Sequence, residues 1–296
     1  MAVAIAKRMR HTPCADCQPH VERPEYVGPA TDMWVAQRFR GVLENAGLAR
    51  FEQVMNTRAG RCLRVLPDRE NWYLPAAMGM YLKKHHTLAW WTRIATALGL
   101  ALPASPGRVE AQNALALQSL GIDVMPLVAY GERLHADGRL ESFLLSEELE
   151  GYCELQDFVE RRFPPRKRGL PLDSALRRLI VQVAGIARRF HAAGFNHRDF
   201  YCCHFLVKET SPGECDVRLI DLQRVQRRQW FRWRWIVKDL AQLASMSPDD
   251  QIGCREKVLF LRTYLGVRKL RPRDRRLVRD VLWKLSLIRR RVRNKP

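Results

Sequence analysis

Residues 197–221 read HRDFYCCHFLVKETSPGECDVRLID, and this stretch decides which fold the sequence predicts. It contains the triplet His197-Arg198-Asp199, then two short apolar runs typical of strands, and Asp221 at its end. The segment before it carries apolar residues at helical spacing. Phosphoryl transfer requires one acid that accepts a hydroxyl proton and another that binds a metal ion. The stretch offers two such acids, 22 residues apart, with the intervening elements that this chemistry needs.

Each polar residue of this stretch has an expected role. Asp199 is the candidate catalytic base, because the HRD triplet of protein kinases holds that acid between a helix and a strand. Asp221 stands where those enzymes place a magnesium-binding acid, although Leu and Gln follow it instead of Phe and Gly. His204 lies five positions after Asp199, in the place of a metal-binding Asn, and we expect it to bind magnesium with Asp221. His197 and Arg198 are expected to support the catalytic loop.

A further acid, Asp239, lies in the run VKDLAQL. We expect it on a helix beneath the catalytic loop, where its carboxylate would accept hydrogen bonds from the loop backbone. It follows Asp221 by only 18 residues. That interval leaves little room for a long activation loop, so no phosphorylation switch is expected there.

The segment upstream predicts a sheet-rich lobe that binds the nucleotide. Short apolar runs at 62–66, 71–75 and 78–84, and two more after residue 124, are typical of antiparallel strands. Apolar spacing after a Pro-Gly break predicts one helix at 108–120. Lys83 lies in the third run and Glu110 on the helix, so we expect them to pair and to bind the phosphates of ATP.

The segment after Gly151 predicts a helical lobe. Asp173 is expected to cap a helix that continues to Gly194. The sequence therefore predicts an α+β protein of protein-kinase-like, two-lobed fold, with a sheet-rich N-lobe and a helical C-lobe. The predicted boundaries are a loose N-terminal arm at 1–30, the N-lobe at 31–148, and the C-lobe with the catalytic loop and basic helices at 149–296.

Composition narrows the classes of partner. The chain has 296 residues and a formal net charge of +20, which favours polyanions as partners. It contains no run of eighteen apolar residues, and its first residues lack the apolar segment of a secretory signal, so a cytoplasmic location is expected.

The eight cysteines are scattered and are expected to be reduced. Cys14 and Cys17, near two histidines, would suit zinc, with an unstructured arm as the alternative.

The motif-bearing runs resemble a known family. HAAGFNHRDFYCCHFLV, then RLIDLQRVQ, then RWRWIVKDLAQL resemble the lipopolysaccharide core kinases, which include heptose and Kdo (3-deoxy-octulosonate) kinases. YLKKHH and the R-x-E at 108–110 also fit, whereas Cys202 stands where an aliphatic residue is usual. The resemblance implies ATP and Mg2+ as cofactors and a sugar hydroxyl of the lipopolysaccharide inner core, on heptose or Kdo, as the acceptor.

The resemblance also explains the charge. It implies an anionic glycolipid substrate, and the arginines after the metal acid are expected to bind that acceptor: Arg224, Arg227, Arg228, Arg232 and Arg234. The alternative is that these arginines are only solvated. The tryptophans among them are expected either at a lipid headgroup or sugar, or in the core. Peripheral contact with the anionic inner membrane is an open alternative, and nucleic acid is not expected as a partner.

Two other functions remain open from the residues alone. A small-molecule kinase of the aminoglycoside or choline type shares the two lobes, but acidic residues usually line its acceptor site, which disfavours a chain of charge +20. A catalytically inactive, basic binding module is the second alternative. The complete set of Lys83, Glu110, Asp199 and Asp221 argues against it.

Overall fold

The computed structural model describes residues 32–75, 78–87, 94, 98, 104–165 and 171–293. Within these ranges the chain forms two compact units. The first unit comprises residues 32–118 and 125–150, and the second comprises residues 119–124 and 151–293. The predicted arm at 1–30, with its Cys14 and Cys17, lies outside the described residues, and the predicted lobe boundaries stay a prediction.

The first unit is built on one antiparallel sheet of order β1-β5-β6-β4-β3-β2. Its strands are β1 (Met33–Val35), β2 (Arg61–Leu66), β3 (Arg69–Leu74), β4 (Met80–Thr87), β5 (Leu127–Leu134) and β6 (Leu140–Glu147). Its helices are α1 (Arg40–Asn45), α2 (Phe51–Asn56) and α3 (Pro106–Gln118). The five predicted strands and the predicted helix are present, whereas β1, α1 and α2 were not predicted, because each is too short to show a period.

One face of β4 packs into the apolar core of the first unit. Met80 and Leu82 of β4 are fully buried, and they belong to one apolar cluster with Phe51, Phe143 and Leu145. At roughly 25 cal/mol per Å² of apolar surface, each such side chain contributes about 1.5–3 kcal/mol when fully buried. The cluster therefore fixes the register of β4, the strand that carries the adjacent lysines 83 and 84.

Helix α3 begins where its sequence dictates. Pro106 occupies the first helical position, where its missing N–H removes no hydrogen bond. The Ser105 hydroxyl accepts a hydrogen bond of 3.2 Å from the Arg108 amide and thereby caps the helix. Because α3 starts here, Glu110 lies in its first two turns, on a fully buried face.

The second unit is mainly helical. Its helices are α4 (Leu155–Arg162), α5 (Ser174–Ala192), α6 (Trp233–Ser245), α7 (Cys254–Leu265) and α8 (Arg275–Arg293). Its strands are β7 (Cys153–Glu154), β8 (Phe195–Asn196), β9 (Phe205–Ser211), β10 (Glu214–Leu219) and β11 (Gln226–Arg227). They form an antiparallel sheet of order β10-β9-β7 and a small antiparallel pair of β11 with β8.

Helix α5 positions the loop that follows it. Asp173 caps it as predicted, since its Oδ1 accepts hydrogen bonds from the amides of Ala175 and Leu176 at 2.8 and 3.0 Å. The helix ends before Gly194, whose φ of +95° favours glycine. The predicted α+β class is confirmed. Among the described residues, no helix combines the length and apolar character needed to span a membrane.

Candidate active site

The first unit pairs Lys83 with Glu110. The Lys83 ammonium lies 2.7 Å from Glu110 Oε1, and the Glu110 side chain is fully buried. Glu110 Oε2 has no hydrogen-bond donor among the residues that the structure describes. A buried carboxylate requires compensation by a cation, so this pair holds the lysine at a defined position on β4.

The neighbouring lysine, Lys84, faces the other way. Strand alternation sends it toward Thr57, whose carbonyl oxygen accepts a hydrogen bond of 2.8 Å from the Lys84 amine. Glu70 lies 3.9 Å away, and the amine stands 5.2 Å from the Trp72 ring centroid. Burial lowers the pKa of Lys84 to about 8. Only Lys83, of these two adjacent lysines, is paired with the acid on α3.

The catalytic loop of the second unit is tied to α6 by Asp239. This fully buried carboxylate accepts hydrogen bonds from the backbone amides of His197 at 2.8 Å and Arg198 at 2.9 Å. Arg198 has a φ of +73°, a conformation that a residue other than glycine adopts at a cost of about 1–3 kcal/mol. The two charge-assisted bonds offset this cost, so the position expected of Asp239 beneath the loop is observed.

A buried polar chain supports Asp239 from behind. His191 Nε2 lies 3.4 Å from Asp239 Oδ2, and its Nδ1 lies 3.0 Å from the hydroxyl of the buried Tyr264. The amide of Phe200 donates a 3.2 Å hydrogen bond to Gln242 Oε1, one turn after Asp239 on the same helix. Sequence reasoning missed Gln242 and Tyr264. The spacing from 239 to 242 was the available signal for Gln242, because residues three apart share a helix face.

Asp199 follows directly after these anchored residues. Its Oδ2 accepts a 2.6 Å hydrogen bond from Arg224 Nη1, and its side chain is 21% exposed. Among the residues that the structure describes, this carboxylate is held by Arg224, which is itself half exposed. One of the five arginines expected at the acceptor thus contacts the candidate base.

His204 links Asp199 to Asp221. Its Nδ1 donates a 2.6 Å hydrogen bond to the Asp199 carbonyl oxygen, and its Nε2 lies 3.7 Å from Asp221 Oδ2. Burial would lower the pKa of His204, but the Cys203 side chain and the Asp199 carbonyl outweigh it and raise the pKa to about 9. The Asp221 carboxylate beside the ring also favours the protonated form.

His197 stacks on His204 with ring centroids 5.6 Å apart. Burial lowers the pKa of His197 to about 4. Its neutral ring donates a 3.2 Å hydrogen bond from Nε2 to the Ile220 carbonyl, which fixes the tautomer. The neutral ring therefore joins the catalytic loop to the residue just before Asp221.

Asp221 differs from its prediction in one respect. The strand expected to reach it ends at Leu219, and Asp221 itself has a φ of +56° and a ψ of +60°. The left-handed conformation breaks the strand, and Asp tolerates it better than most residues. The turn leaves the Asp221 side chain 43% exposed, and thus accessible to a cation.

Two of the expected acceptor arginines bond to backbone instead. Arg227 Nε donates a 3.2 Å hydrogen bond to the Ala193 carbonyl. Arg232 donates to the carbonyl of His191, and burial lowers its pKa. These contacts brace the segment between β11 and α6.

The tryptophans divide between exposure and packing. Trp230 is 79% exposed, whereas Trp233 donates a 2.9 Å hydrogen bond to Asp280 Oδ2. Trp235 is half buried, and the guanidinium groups of Arg228 and Arg234 lie 5.2 and 4.5 Å from its ring centroid. Neither of the two alternatives for the tryptophans, core or surface, describes all three.

Known proteins of one family are similar to this chain. Residues 56–264 match the lipopolysaccharide kinase (Kdo/WaaP) family. The chain is 37% identical to the lipopolysaccharide core heptose(I) kinase WaaP of Pseudomonas aeruginosa over 193 residues, which are 63% of this chain and 69% of that protein. It is 32% identical to the protein of the same description from Escherichia coli over 222 residues, 73% of this chain and 81% of that one. A solved structure described as WaaP in complex with acyl carrier protein superposes with a TM-score of 0.63 at 31% identity, covering 88% of this chain and 97% of that one.

Proposed function

This chain belongs to the lipopolysaccharide kinase (Kdo/WaaP) family, and we propose that its acceptor is a heptose of the lipopolysaccharide inner core. Family membership confirms the prediction of a protein-kinase-like, ATP-dependent phosphotransferase that acts on a sugar hydroxyl of the lipopolysaccharide core. The choice of heptose over Kdo rests on the description of the relatives as heptose(I) kinases. The small-molecule kinase and the inactive binding module are not favoured.

The observation that carries the proposed mechanism is the anchored catalytic loop, in which Asp239 holds the two amides that precede Asp199. In this mechanism Asp199 accepts the proton of the heptose hydroxyl. The hydroxyl oxygen bonds to the γ-phosphorus of ATP while the bond from that phosphorus to ADP breaks. Lys83, positioned by Glu110, binds the nucleotide phosphates. Arg224 shields Asp199 until the hydroxyl replaces it as the hydrogen-bond partner.

Magnesium is proposed as the second cofactor. Mg2+ keeps several of its waters and takes one or two protein carboxylates beside the nucleotide phosphates. The half-exposed Asp221 suits this role. Among the described residues, no group of three or more His, Cys, Asp or Glu side chains could hold a metal by itself. Imidazole is a poor ligand for magnesium, so we propose Asp221 as the principal protein ligand.

The proposed acceptor is tested with the purified chain, ATP and inner-core lipopolysaccharide that lacks phosphate on its heptose. Mass spectrometry with fragmentation should locate one added phosphate on heptose. Asp199→Asn serves as the matched inactive control, because it preserves side-chain shape and removes the proton acceptor. Phosphate on Kdo, or equal transfer to a core that ends at Kdo, would overturn the heptose proposal.

Peripheral contact with the inner membrane is proposed for α8. This helix carries two adjacent exposed apolar side chains, Leu282 and Trp283, 58% and 63% exposed, and exposed arginines near its end. Basic amphipathic helices of this kind bind anionic headgroups. Sedimentation with vesicles containing phosphatidylglycerol should retain the protein, and Leu282→Ser with Trp283→Ser should release it. Equal binding to neutral phosphatidylcholine vesicles would contradict the proposal.

Binding of acyl carrier protein is proposed on the strength of the superposed structure alone. Size-exclusion chromatography of the purified chain with acyl carrier protein should give a co-eluting complex. Separate elution at micromolar concentrations would overturn this proposal without affecting the kinase.

A further inference from the structure

Trp235 lies among four cations that come from three parts of the second unit. The charged groups of Arg198, Arg228, Arg234 and Lys238 lie 5.2, 5.2, 4.5 and 5.7 Å from its ring centroid. Arg198 belongs to the catalytic loop, Arg228 follows β11, and the other two lie one turn apart on α6. We call these five residues the Trp235 cluster.

The cations of the cluster have neutral or backbone partners where the described residues supply a partner at all. None of its four cations forms an ion pair with a carboxylate among the described residues. Arg228 donates hydrogen bonds to the neutral amide oxygen of Gln226, and Lys238 donates to the Arg198 carbonyl. The side chains of Arg198 and Arg234 have no hydrogen-bond acceptor within the same ranges, and Arg198 Nε is buried.

The nearest acids are already engaged. Asp199 is bonded to Arg224, and Asp239 accepts the loop amides. Both attract Lys238, yet burial still lowers its pKa. Like charges one helical turn apart, as at 234 and 238, destabilise a helix. The indole ring offsets part of this repulsion, since a cation over an exposed aromatic face contributes about 0.5–1 kcal/mol.

Such a convergence of guanidinium groups fits an oxyanion, because a guanidinium presents a planar fork of donors that matches phosphate and carboxylate oxygens. The position decides which oxyanion. Lys238 donates to the Arg198 carbonyl and is attracted by the carboxylate of Asp199, the candidate base, so we expect an anion held by the cluster to lie on the side of the acceptor hydroxyl. The phosphate being transferred belongs to the nucleotide, whereas an anion on this side belongs to the acceptor.

We propose that the Trp235 cluster binds an anionic substituent of the acceptor, a phosphate or a carboxylate, and so positions the acceptor hydroxyl at Asp199. The proposal rests on the proposed function. It assigns Arg198 and Lys238 to acceptor binding, which the sequence did not suggest. It also separates Arg228 and Arg234 from Arg227 and Arg232, whose side chains bond to backbone carbonyls.

The test crosses variants with acceptors. The variant is Arg228→Gln with Arg234→Gln, and the matched control is Arg268→Gln with Lys269→Gln, which removes the same charge from exposed positions of the second unit. Each enzyme is assayed with the inner-core acceptor in three forms: intact, treated with phosphatase, and with its carboxylates reduced to alcohols. Circular dichroism and the urea midpoint verify that both variants fold.

We expect the cluster variant to lose about tenfold or more in kcat/KM with the intact acceptor, equivalent to one charge-assisted contact. The kcat/KM of wild type should fall by a similar factor when either the phosphates or the carboxylates of the acceptor are removed. The kcat/KM of the cluster variant should not fall further with that modified acceptor. The KM of the cluster variant for ATP should change less than twofold. The control variant should likewise keep its kcat/KM with the intact acceptor to within twofold. If the variant loses the same factor in kcat/KM relative to wild type with all three acceptors, the proposal is overturned. A matching rise in the KM for ATP would also overturn it, because it would assign the cluster to the nucleotide.

Titration calorimetry of the three acceptors without ATP separates this proposal from the proposed function. Weaker binding of one modified acceptor to wild type, absent in the variant, supports the cluster even if no phosphate is transferred to heptose. Transfer to heptose with equal affinity for all three acceptors retains the function and overturns the cluster.

Discussion

Replacing Asp239 by Asn tests how the catalytic loop is held. The carboxylate accepts two amide hydrogen bonds, at 2.8 and 2.9 Å, from a side chain that is fully buried. Asn keeps one acceptor oxygen and turns an NH2 group toward the second amide, so one bond to a charged acceptor is lost. That bond contributes about 1.5–3 kcal/mol. We therefore expect the free energy of unfolding to fall by about 1.5–3 kcal/mol and Tm by about 3–12 °C.

Loss of the bond should also release the loop before Asp199. Hydrogen exchange followed by mass spectrometry should show faster exchange at His197 and Arg198, and kcat should fall by about 10–100-fold because Asp199 is no longer positioned. The matched control is Tyr264→Phe. It removes the neutral hydrogen bond between Tyr264 and His191, which lies behind Asp239. It should cost about 0.5–1.5 kcal/mol and leave kcat unchanged. Wild-type exchange and turnover in Asp239→Asn would refute this account of the loop.

Four further predictions concern single side chains. Asp199→Asn should lower kcat by about 10²–10⁴-fold with the Kd for ATP unchanged, and turnover near that of wild type would exclude Asp199 as the base. Lys83→Gln should raise the KM for ATP at least tenfold, whereas Lys84→Gln should lower only the unfolding free energy, because the two side chains leave β4 on opposite faces. His204→Asn should retain more activity than His204→Ala, since only Asn can donate to the Asp199 carbonyl; equal activities would limit His204 to packing. Burial lowers the pKa of His85 to about 4, so the unfolded chain binds a proton there below pH 6.5 and the folded chain does not. Stability should fall by about 2 kcal/mol between pH 7 and 5 in urea titrations, and a His85→Phe variant should lose less.

Local sequence signals were sufficient where one element carries the information. The stripe of α5, its Asp173 cap and the terminal Gly194 predicted that helix to within a residue of its observed end. The strands at 61–66 and 80–87 were likewise predicted, because alternation and neighbouring turn residues are properties of short windows. The short elements β1, α1 and α2 have no such period, and their formation depends on packing in the first unit.

By itself the sequence predicted the family, because the runs around the HRD triplet, Asp221 and Asp239 resemble the lipopolysaccharide core kinases, and the match over residues 56–264 confirms it. Tertiary structure decided how these groups are held. The sequence predicted that Lys83 pairs with Glu110, whereas the partners of the adjacent Lys84, the Thr57 carbonyl and Glu70, were visible only in the structure. Five arginines likewise appear as one basic run, yet the fold bonds some to backbone carbonyls and gathers others around Trp235. Charge and residue type are local properties, whereas the partner of each charge depends on residues distant in the chain.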